Sequence, residues 1–199
     1  VQALLRYGIK PVLVDSDYQT FNMQVDEIEA KITPNTKAIM IVHIYGLTVD
    51  VDPILELAKK HNIKVIEDSA EMLGQEYKNK KCGSFGDIST FSFYPNKQIT
   101  TGEGGMIVTN DLSIKEKCKS FRNLCFQKKK RFIHNELGWN YRMTNLQAAL
   151  GIAQLERLDS IIKIKLRNGS LYNKYLEGIN GIKVQPKETN YARNIYWVY

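Results

Sequence analysis

One lysine follows an alternating run of residues and precedes a glycine-rich loop. Apolar and hydroxyl side chains alternate at 88–93, which predicts a β-strand with one face of each kind. Pro95 has no N–H group to continue the strand pairing, and Lys97 follows it directly. The glycines at 102–105 let the backbone approach a ligand closely. This pattern is typical of Schiff-base chemistry with a phosphate-bearing aldehyde, although an exposed lysine in a glycine-rich turn would look the same.

A second chemical signal lies at the end of a β-branched run at 64–68. Asp68 ends the run, and Glu71 follows three residues later. An aldehyde cofactor built on a pyridine needs a carboxylate at its ring nitrogen, so that the protonated ring withdraws electrons. Such a group belongs at the carboxyl end of a strand, where open α/β sheets bind ligands. A helix N-cap is an equally common role for an aspartate in this position, so both interpretations stay open.

Several segments carry a resemblance to a known family. They are VHIYG at 42–46, VIEDSA at 65–70, GSFGDISTFSFYPNK at 83–97, TTGEGGM at 100–106 and ELGWNYRMTNLQAA at 136–149. In these segments the sequence resembles the DegT/DnrJ/EryC1/StrS family of pyridoxal-phosphate enzymes, the nucleotide-sugar aminotransferases. Because the motifs occur in the same order as in the family, together they are far more specific than any one alone. The resemblance extends from the first residues to about Leu158.

The resemblance implies an α/β fold, the type I fold of pyridoxal-phosphate-dependent transferases, which is like that of aspartate aminotransferase. This fold has a mostly parallel mixed sheet flanked by helices, followed by a smaller C-terminal domain. We expect the large cofactor-binding domain, without its N-terminal part, at 1–158. The linking helix and the start of a truncated small domain are expected at 159–199. Runs rich in β-formers, which predict the strands, lie at 11–15, 37–43, 63–67 and 106–109.

Local signals mark the predicted helices. Asp52 is expected to cap a helix that has Pro53 at its first position. A second helix is expected to start at Asp111 and reach about residue 121. The residues at 144–147 form a capping-box pattern, and a long helical run after them is expected to end near Gly178.

The resemblance assigns a role to each residue that matches the family motifs. Lys97 would form the Schiff base with pyridoxal 5'-phosphate and later move a proton between the substrate carbon and the cofactor. Asp68 would pair with the pyridine nitrogen, Ala70 would pack its methyl group against the ring, and Glu71 would lie near the phenolic oxygen. Ser92 would bind the phosphate; its alternative is a buried strand serine bonded to the backbone.

Further matches imply contacts outside this group. Asn140 matches the family asparagine that crosses from the neighbouring subunit to the phosphate, which implies a homodimer with a shared active site. A turn asparagine before Thr144 is the alternative. Tyr45 and Arg142 are candidate substrate contacts, and Glu71 could instead be a charge at the start of a surface helix.

The identity of residue 97 favours transamination. Relatives with histidine at this position act as sugar dehydratases, whereas this chain has Lys97. The resemblance implies L-glutamate as the amino donor and a nucleotide-linked 4-keto-6-deoxy sugar as the acceptor. The segments at 122–126 and 139–145 favour conversion of GDP-4-keto-6-deoxymannose to GDP-perosamine for a surface polysaccharide or O-antigen. A UDP- or dTDP-linked keto sugar is the second choice, and a non-catalytic regulatory homologue that binds the cofactor is the remaining alternative.

The composition disfavours other classes of protein. The 199-residue chain has a formal net charge of +7, but no aromatic residues interleave with its basic cluster at 128–131, which favours a solvated loop over nucleic-acid binding. Neither the three cysteines nor the three histidines have metal-site spacing, so no metal is expected. The glycines at 102–105 do not match the dinucleotide-binding pattern of nicotinamide enzymes. No apolar run is long enough to span a membrane, which favours the cytoplasm, and both ends interrupt regular patterns, which favours a fragment.

Overall fold

The chain forms a four-stranded mixed sheet. The computed structural model describes residues 1–127 and 129–199, so Lys128 of the basic cluster lies outside the described residues. The strands are β1 (Ala38–Val42), β2 (Lys64–Asp68), β3 (Glu76–Tyr77), β4 (Lys80–Lys81), β5 (Ile88–Ser92) and β6 (Gly105–Val108). The main sheet has the order β1-β2-β5-β6, while β3 and β4 form a separate antiparallel pair. Because β1, β2 and β5 are parallel, their carboxyl ends meet at one edge of the sheet.

In the described part of the chain, six α-helices accompany the sheet. They are α1 (Gln2–Arg6), α2 (Ile28–Lys31), α3 (Val51–His61), α4 (Leu112–Phe121), α5 (Asn145–Leu155) and α6 (Leu158–Leu176). Asp111 caps α4 by accepting from two backbone N–H groups, and Thr144 and Gln147 form the predicted capping box of α5. None of the helices in the described part of the chain has both the length and the apolar character needed to cross a membrane.

The core lies between the sheet and α3. Ile39 and Ile41 of β1 and Val65 of β2 are buried, and they pack with Ile54 and Ala58 of α3. Parallel strands need a crossover connection, and α3 supplies the one between β1 and β2. Burying these apolar side chains fixes the two strands in register, and the register places the ends of both strands at the same edge.

Two predictions about local structure were wrong. Residues 11–15 form no strand, because they pair with no neighbouring strand and Pro11 has no N–H group to donate. The nearest pairing is a single bridge from Ser16 to Met23. Helix α3 has Asp50 at its N-cap, not Asp52. The Asp50 carboxylate accepts from the hydroxyl of Tyr77 at 2.6 Å and caps no helix N–H group. The approach of Tyr77 is a tertiary contact that local sequence signals do not report.

The last described residues return to the sheet and form a C-terminal strap, residues 194–199. The Ile195 N–H group donates to the Gly46 carbonyl at 3.0 Å, and the Trp197 N–H group donates to the Tyr45 carbonyl at 3.2 Å. These bonds hold the strap against the turn that follows β1. The strap therefore reaches the edge of the sheet at which the parallel strands end.

Candidate active site

Lys97 lies in a turn just beyond the end of β5. Its N–H group donates to the Tyr94 carbonyl at 3.0 Å, and the next two residues, Gln98 and Ile99, are buried. These anchors hold the lysine at the carboxyl edge of the sheet. The side chain of Lys97 is only 11% exposed, although neighbouring residues in the turn are open to solvent. The interpretation of Lys97 as an exposed turn lysine is therefore wrong.

Two carboxylates face the amine of Lys97. The Glu71 Oε1 atom lies 3.9 Å from Nζ of Lys97, and the negative charge of Asp68 also acts on this amine. Burial lowers the pKa of Lys97, while the charges of Glu71 and Asp68 oppose that shift. A lowered pKa increases the fraction of neutral amine near neutral pH. The arrangement therefore provides a sheltered nucleophile that can also carry a proton.

Asp68 is the last residue of β2 and lies between the ends of its neighbours. It is in register with Val42 of β1 and Thr90 of β5. Its Oδ1 atom accepts from the Ala70 N–H group at 3.1 Å, but the residues that follow form a turn, not a helix. The helix N-cap interpretation is therefore wrong. The Oδ1 atom of Asp68 stabilises the turn. The predicted pairing with a pyridine nitrogen would use its other carboxylate oxygen, Oδ2.

Glu71 lies within this turn, half-buried beside the amine. Its Oε2 atom accepts from the Tyr45 N–H group at 2.7 Å. Burial raises the pKa of Glu71, and the bond from Tyr45 and the charge of Lys97 act against the rise. Since no helix begins here, the interpretation of Glu71 as a surface helix charge is also wrong. The structure thus brings together Lys97, Asp68, Glu71 and the backbone of Tyr45.

Trp197 of the strap was not predicted as a site residue, yet its indole lies on the amine. The Nζ atom of Lys97 is 3.8 Å from the centroid of the ring, a distance at which an aromatic face attracts a cation. The Tyr45 ring lies nearly parallel to the indole, with centroids 6.4 Å apart. Trp197 is 100 residues from Lys97 along the chain, and no spacing pattern in the sequence links the two.

Ser92, the last residue of β5, pairs with Gly105 at the end of the glycine loop. The Ser92 hydroxyl accepts from the Tyr94 N–H group at 3.3 Å, which leaves its hydrogen available to donate. Gly102 has a φ of +78°, and no atom lies within 4 Å of the position that a β-carbon would occupy there. The loop is thus open at Gly102, while Thr100 anchors its start through a bond to the Phe93 carbonyl at 2.8 Å.

Asn140 and Arg142 form a separate group on an exposed loop. The Arg142 guanidinium donates to Oδ1 of Asn140 at 2.9 Å and to Oδ1 of Asn123 at 3.0 Å. Within the described ranges, no hydrogen bond or ion pair joins these residues to Lys97, Asp68 or Glu71. The structure therefore does not connect Asn140 and Arg142 to the amine of the same chain.

The structure also contains a buried carboxylate that sequence reasoning missed. Glu67 is fully buried and accepts six hydrogen bonds. The donors are the ring of His43, the hydroxyls of Ser69 and Ser89, and the backbone N–H groups of Gly83, Phe85 and Gly86. Burial alone would raise the pKa of Glu67, but these bonds, led by that from His43, lower it to about 2. The alternation of residues along β2 was the available signal, because it turns Glu67 to the buried face with Val65.

Glu67 belongs to a cluster whose spacing could also suit a metal ion. One ligand atom each from His43, Glu67 and Cys82 lies within 4.8 Å of the others. However, Nδ1 of His43 already accepts from the Val49 N–H group at 3.2 Å, so Nε2 carries the hydrogen that is donated to Glu67. Burial and the charge of Glu67 raise the pKa of Cys82 to about 12, which disfavours the thiolate that metals need. We therefore assign the cluster to a structural hydrogen-bond network.

A surface groove of about 520 Å³ lies elsewhere on the chain. Its lining includes Gln75, Lys78, Tyr191 and Arg193, and it includes none of the residues that surround the amine. Since it lacks a nucleophile with a lowered pKa, we do not assign the reaction to this groove.

Comparison with known proteins shows which protein family the chain matches. The model of the DegT/DnrJ/EryC1/StrS aminotransferase family matches residues 1–199. The chain is 48% identical over 192 residues to GDP-perosamine synthase of Caulobacter vibrioides, a match that covers 96% of this chain and 52% of that protein. The chain spans about half the length of the curated relatives it matches.

Solved structures agree with the sequence comparison. An aminotransferase from Psychrobacter cryohalolentis shares 32% identity with a TM-score of 0.86, over 99% of this chain and 54% of that one. A GDP-4-keto-6-deoxymannose-3-dehydratase with bound GDP-perosamine shares 27% identity with a TM-score of 0.88, over 98% of this chain and 54% of that one. These likenesses confirm the predicted fold, that of the pyridoxal-phosphate-dependent aminotransferases.

Proposed function

The chain belongs to the DegT/DnrJ/EryC1/StrS aminotransferase family, and from this premise we propose that it is part of a pyridoxal-phosphate-dependent sugar aminotransferase. One observation carries the proposal: a largely buried lysine with a lowered pKa lies at the carboxyl edge of a parallel sheet, with its amine 3.9 Å from the Glu71 carboxylate. Ligands bind at this edge in open α/β sheets. A perturbed, sheltered amine at such an edge is expected of a reacting group.

The side chains around the amine fit pyridoxal phosphate. When bound, this cofactor supplies an aldehyde that condenses with amines and a protonated ring that withdraws electrons. Lys97 would provide the amine, and the free oxygen of Asp68 would hold the proton on the ring nitrogen. Ala70 is small enough to let a flat ring lie close, and Glu71 would accept a hydrogen bond near the phenolic oxygen. The Ser92 hydroxyl, with its hydrogen free, suits a phosphate oxygen.

We propose L-glutamate as the donor and GDP-4-keto-6-deoxymannose as the acceptor, aminated at C4. The relative from Caulobacter vibrioides that supports this choice is named GDP-perosamine synthase and shares 48% identity. A structural neighbour with the same fold is named a dehydratase, so fold alone does not select the reaction. Lys97 favours amination, because a lysine amine can both leave the cofactor and return a proton to the substrate carbon. Tyr45 and Arg142 are candidate contacts to the sugar nucleotide.

We further propose that two copies of the whole protein share each active site through Asn140. The loop that carries Asn140 exposes large apolar side chains, among them Phe132 at 82% and Leu137 at 75%. Leu146 of the following helix is 85% exposed. Large apolar side chains exposed on one loop and on the helix that follows it are typical of surfaces that another chain or domain covers. A loop in such an interface could carry Asn140 to the cofactor of the neighbouring subunit.

Borohydride reduction of the full-length protein tests the covalent role of Lys97. We expect reduction in the presence of pyridoxal phosphate to add the mass of the reduced cofactor to the peptide that contains Lys97. Lys97→Arg keeps the positive charge but should lose that label, and turnover should fall by about 10²–10⁴-fold because the proton carrier is lost. Lys115→Arg, at an exposed position of α4, is the matched control and should retain both label and turnover. Labelling of a different lysine in the wild-type protein would contradict the proposal.

A panel of sugar nucleotides tests the substrate. The full-length protein would be incubated with L-glutamate and GDP-, UDP- or dTDP-linked 4-keto-6-deoxy sugars, and aminated products would be measured by mass spectrometry. We expect amination of the GDP-linked sugar to have the highest kcat/KM. Preference for a UDP- or dTDP-linked sugar would replace the proposed acceptor but keep the reaction. Labelling of Lys97 without amination of any acceptor would point to the regulatory alternative.

A further inference from the structure

The indole of Trp197 holds both the reacting amine and the peptide that carries it. The Lys97 Nζ atom lies 3.8 Å from the ring centroid. On the edge of the same ring, the Nε1–H group donates to the Asn96 carbonyl at 3.0 Å. The first contact acts on the side chain of Lys97, and the second acts on the residue immediately before it. One side chain thus restrains the lysine at both ends.

The position of the indole is set without help from Lys97. The backbone of Trp197 donates to the Tyr45 carbonyl at 3.2 Å and accepts from the Lys165 ammonium of α6 at 2.9 Å. The two residues before it in the strap, Ile195 and Tyr196, are buried. The turn and the helix thus fix the backbone of Trp197, and the Tyr45 ring lies nearly parallel to the indole with centroids 6.4 Å apart, so the indole can serve as a wall for the amine.

We propose that Trp197 is a positioning residue that holds the Lys97 amine beside Glu71, ready to react. Contacts through Glu71 and Tyr45 also link Lys97 to Trp197. Lys97 faces Glu71, Glu71 accepts from the Tyr45 N–H group, and the Tyr45 carbonyl accepts from the Trp197 N–H group. This inference rests on the proposed function of Lys97 and adds a residue from the far end of the chain. Besides Glu71, the charge of Asp68 acts on the Lys97 amine. The charged group next to the strap is Lys165, whose ammonium donates to the Trp197 carbonyl.

The pH dependence of cofactor uptake measures this contact without turnover. The full-length apoprotein would be mixed with pyridoxal phosphate over a range of pH, and the rate of covalent binding would be followed by absorbance. The rate rises as Lys97 loses its proton, so the midpoint reports the pKa of this amine. Trp197→Leu keeps an apolar cover but removes the aromatic face that favours the charged amine. We expect its midpoint to move down by about 0.5–1 pH unit.

Two variants separate the contact with Lys97 from the folding of the strap. Trp197→Phe retains an aromatic face and should keep a midpoint near that of the wild-type protein. Tyr199→Leu removes another aromatic ring of the strap, one that stacks on Tyr172 with centroids 4.7 Å apart. It should lower stability and leave the midpoint unchanged. An unchanged midpoint in Trp197→Leu, or equal shifts in Trp197→Leu and Tyr199→Leu, would overturn the inference.

A fluorescence measurement covers the case in which Trp197→Leu does not fold. The emission of Trp197, taken as the difference between wild-type and Trp197→Phe apoprotein, should change with pH as Lys97 titrates. Lys97→Met should abolish that change, and persistence of the change would overturn the inference. Failure of the proposed function has a different signature. In that case Lys97→Arg would still bind pyridoxal phosphate covalently, whatever the indole does.

Discussion

Two glutamates four residues apart show how environment decides the chemistry of identical groups. Glu67 accepts six hydrogen bonds, and its pKa is lowered to about 2. Glu71 has one backbone donor and the Lys97 amine 3.9 Å away, and burial raises its pKa. The first group is a permanent anion that ties the end of β2 to its surroundings. The second can take up or release a proton closer to neutral pH, as a group beside a reacting amine needs to do.

The anion at Glu67 predicts a specific dependence of stability on pH. Because its folded pKa of about 2 lies below the ordinary 4.5, the group stabilises the fold above about pH 4.5. That stabilisation is lost as pH falls through the folded pKa. In the full-length protein, Glu67→Gln should lower the free energy of unfolding at about pH 6. The difference from the wild-type protein should shrink by about 2 kcal/mol between about pH 6 and about pH 3, measured by urea unfolding.

Glu116→Gln is the matched control for this experiment. Glu116 lies on α4 with its side chain 61% exposed, so its substitution should change the unfolding free energy little at either pH. If the deficit of Glu67→Gln stayed constant across this range, Glu67 would not be the anion that we describe.

At the scale of elements, helix α6 depends on a glycine that helix propensity disfavours. Gly169 is buried in the middle of α6, where the ring of Tyr196 from the strap packs against its α-carbon. A β-carbon at this position would overlap that ring. The absence of a side chain at Gly169 therefore allows the strap to pack closely on α6. The strap in turn positions Trp197. Helix propensity alone would predict that alanine at this position stabilises the protein.

Gly169→Ala should therefore destabilise the protein. Alanine favours a helix interior over glycine by about 1 kcal/mol, but the overlap with Tyr196 should outweigh this gain and leave a net loss of about 1–3 kcal/mol. Urea unfolding of the full-length protein would measure the change. Ser170→Ala, at an exposed position of the same helix, should change stability by less than about 0.5 kcal/mol. A more stable Gly169→Ala variant would show that the strap does not pack on α6 in this way.

At the scale of the whole molecule, the proposed sharing of Asn140 between subunits can be tested by mixing inactive variants. Lys97→Ala and Asn140→Ala would each be inactive or nearly so as full-length homodimers. If Asn140 serves the neighbouring subunit, half of the randomly mixed dimers contain one intact site. Mixing should then restore about one quarter of wild-type turnover. If Asn140 serves its own subunit, mixed dimers contain no intact site, and turnover would stay at the level of the separate variants.

The proposed division at residue 159 belongs to the same scale. The large domain would supply Lys97 and Asp68, and the segment after 159 would supply Trp197 through the strap. On this division each active site combines residues from both parts of one chain, with Asn140 added by the partner. Assembly, not any single domain, would then complete the site.

The sequence by itself predicted the candidate reacting residues and determined the elements that carry them. Lys97 and Asp68 follow runs whose alternation and β-branched residues predict strands, and the caps at Asp111 and Thr144 depend on neighbours only a few residues away. Such signals involve residues close together in the sequence, so they can be recognised without knowledge of the fold. Two of these signals failed because the deciding contacts are not local: the run that begins at Pro11 has no partner strand, and Asp50, which Tyr77 approaches, is the N-cap in place of Asp52.

Only the tertiary structure decided which distant groups meet at the amine. Trp197 reaches Lys97 across 100 residues, Glu67 collects donors from three separate segments, and Gly169 makes room for Tyr196. These contacts arise because packing brings the strap, α6 and the ends of three parallel strands to one edge. Periodicity along the chain records which face of an element is buried, but not which neighbour lies against it. The protonation of the site depends on those neighbours.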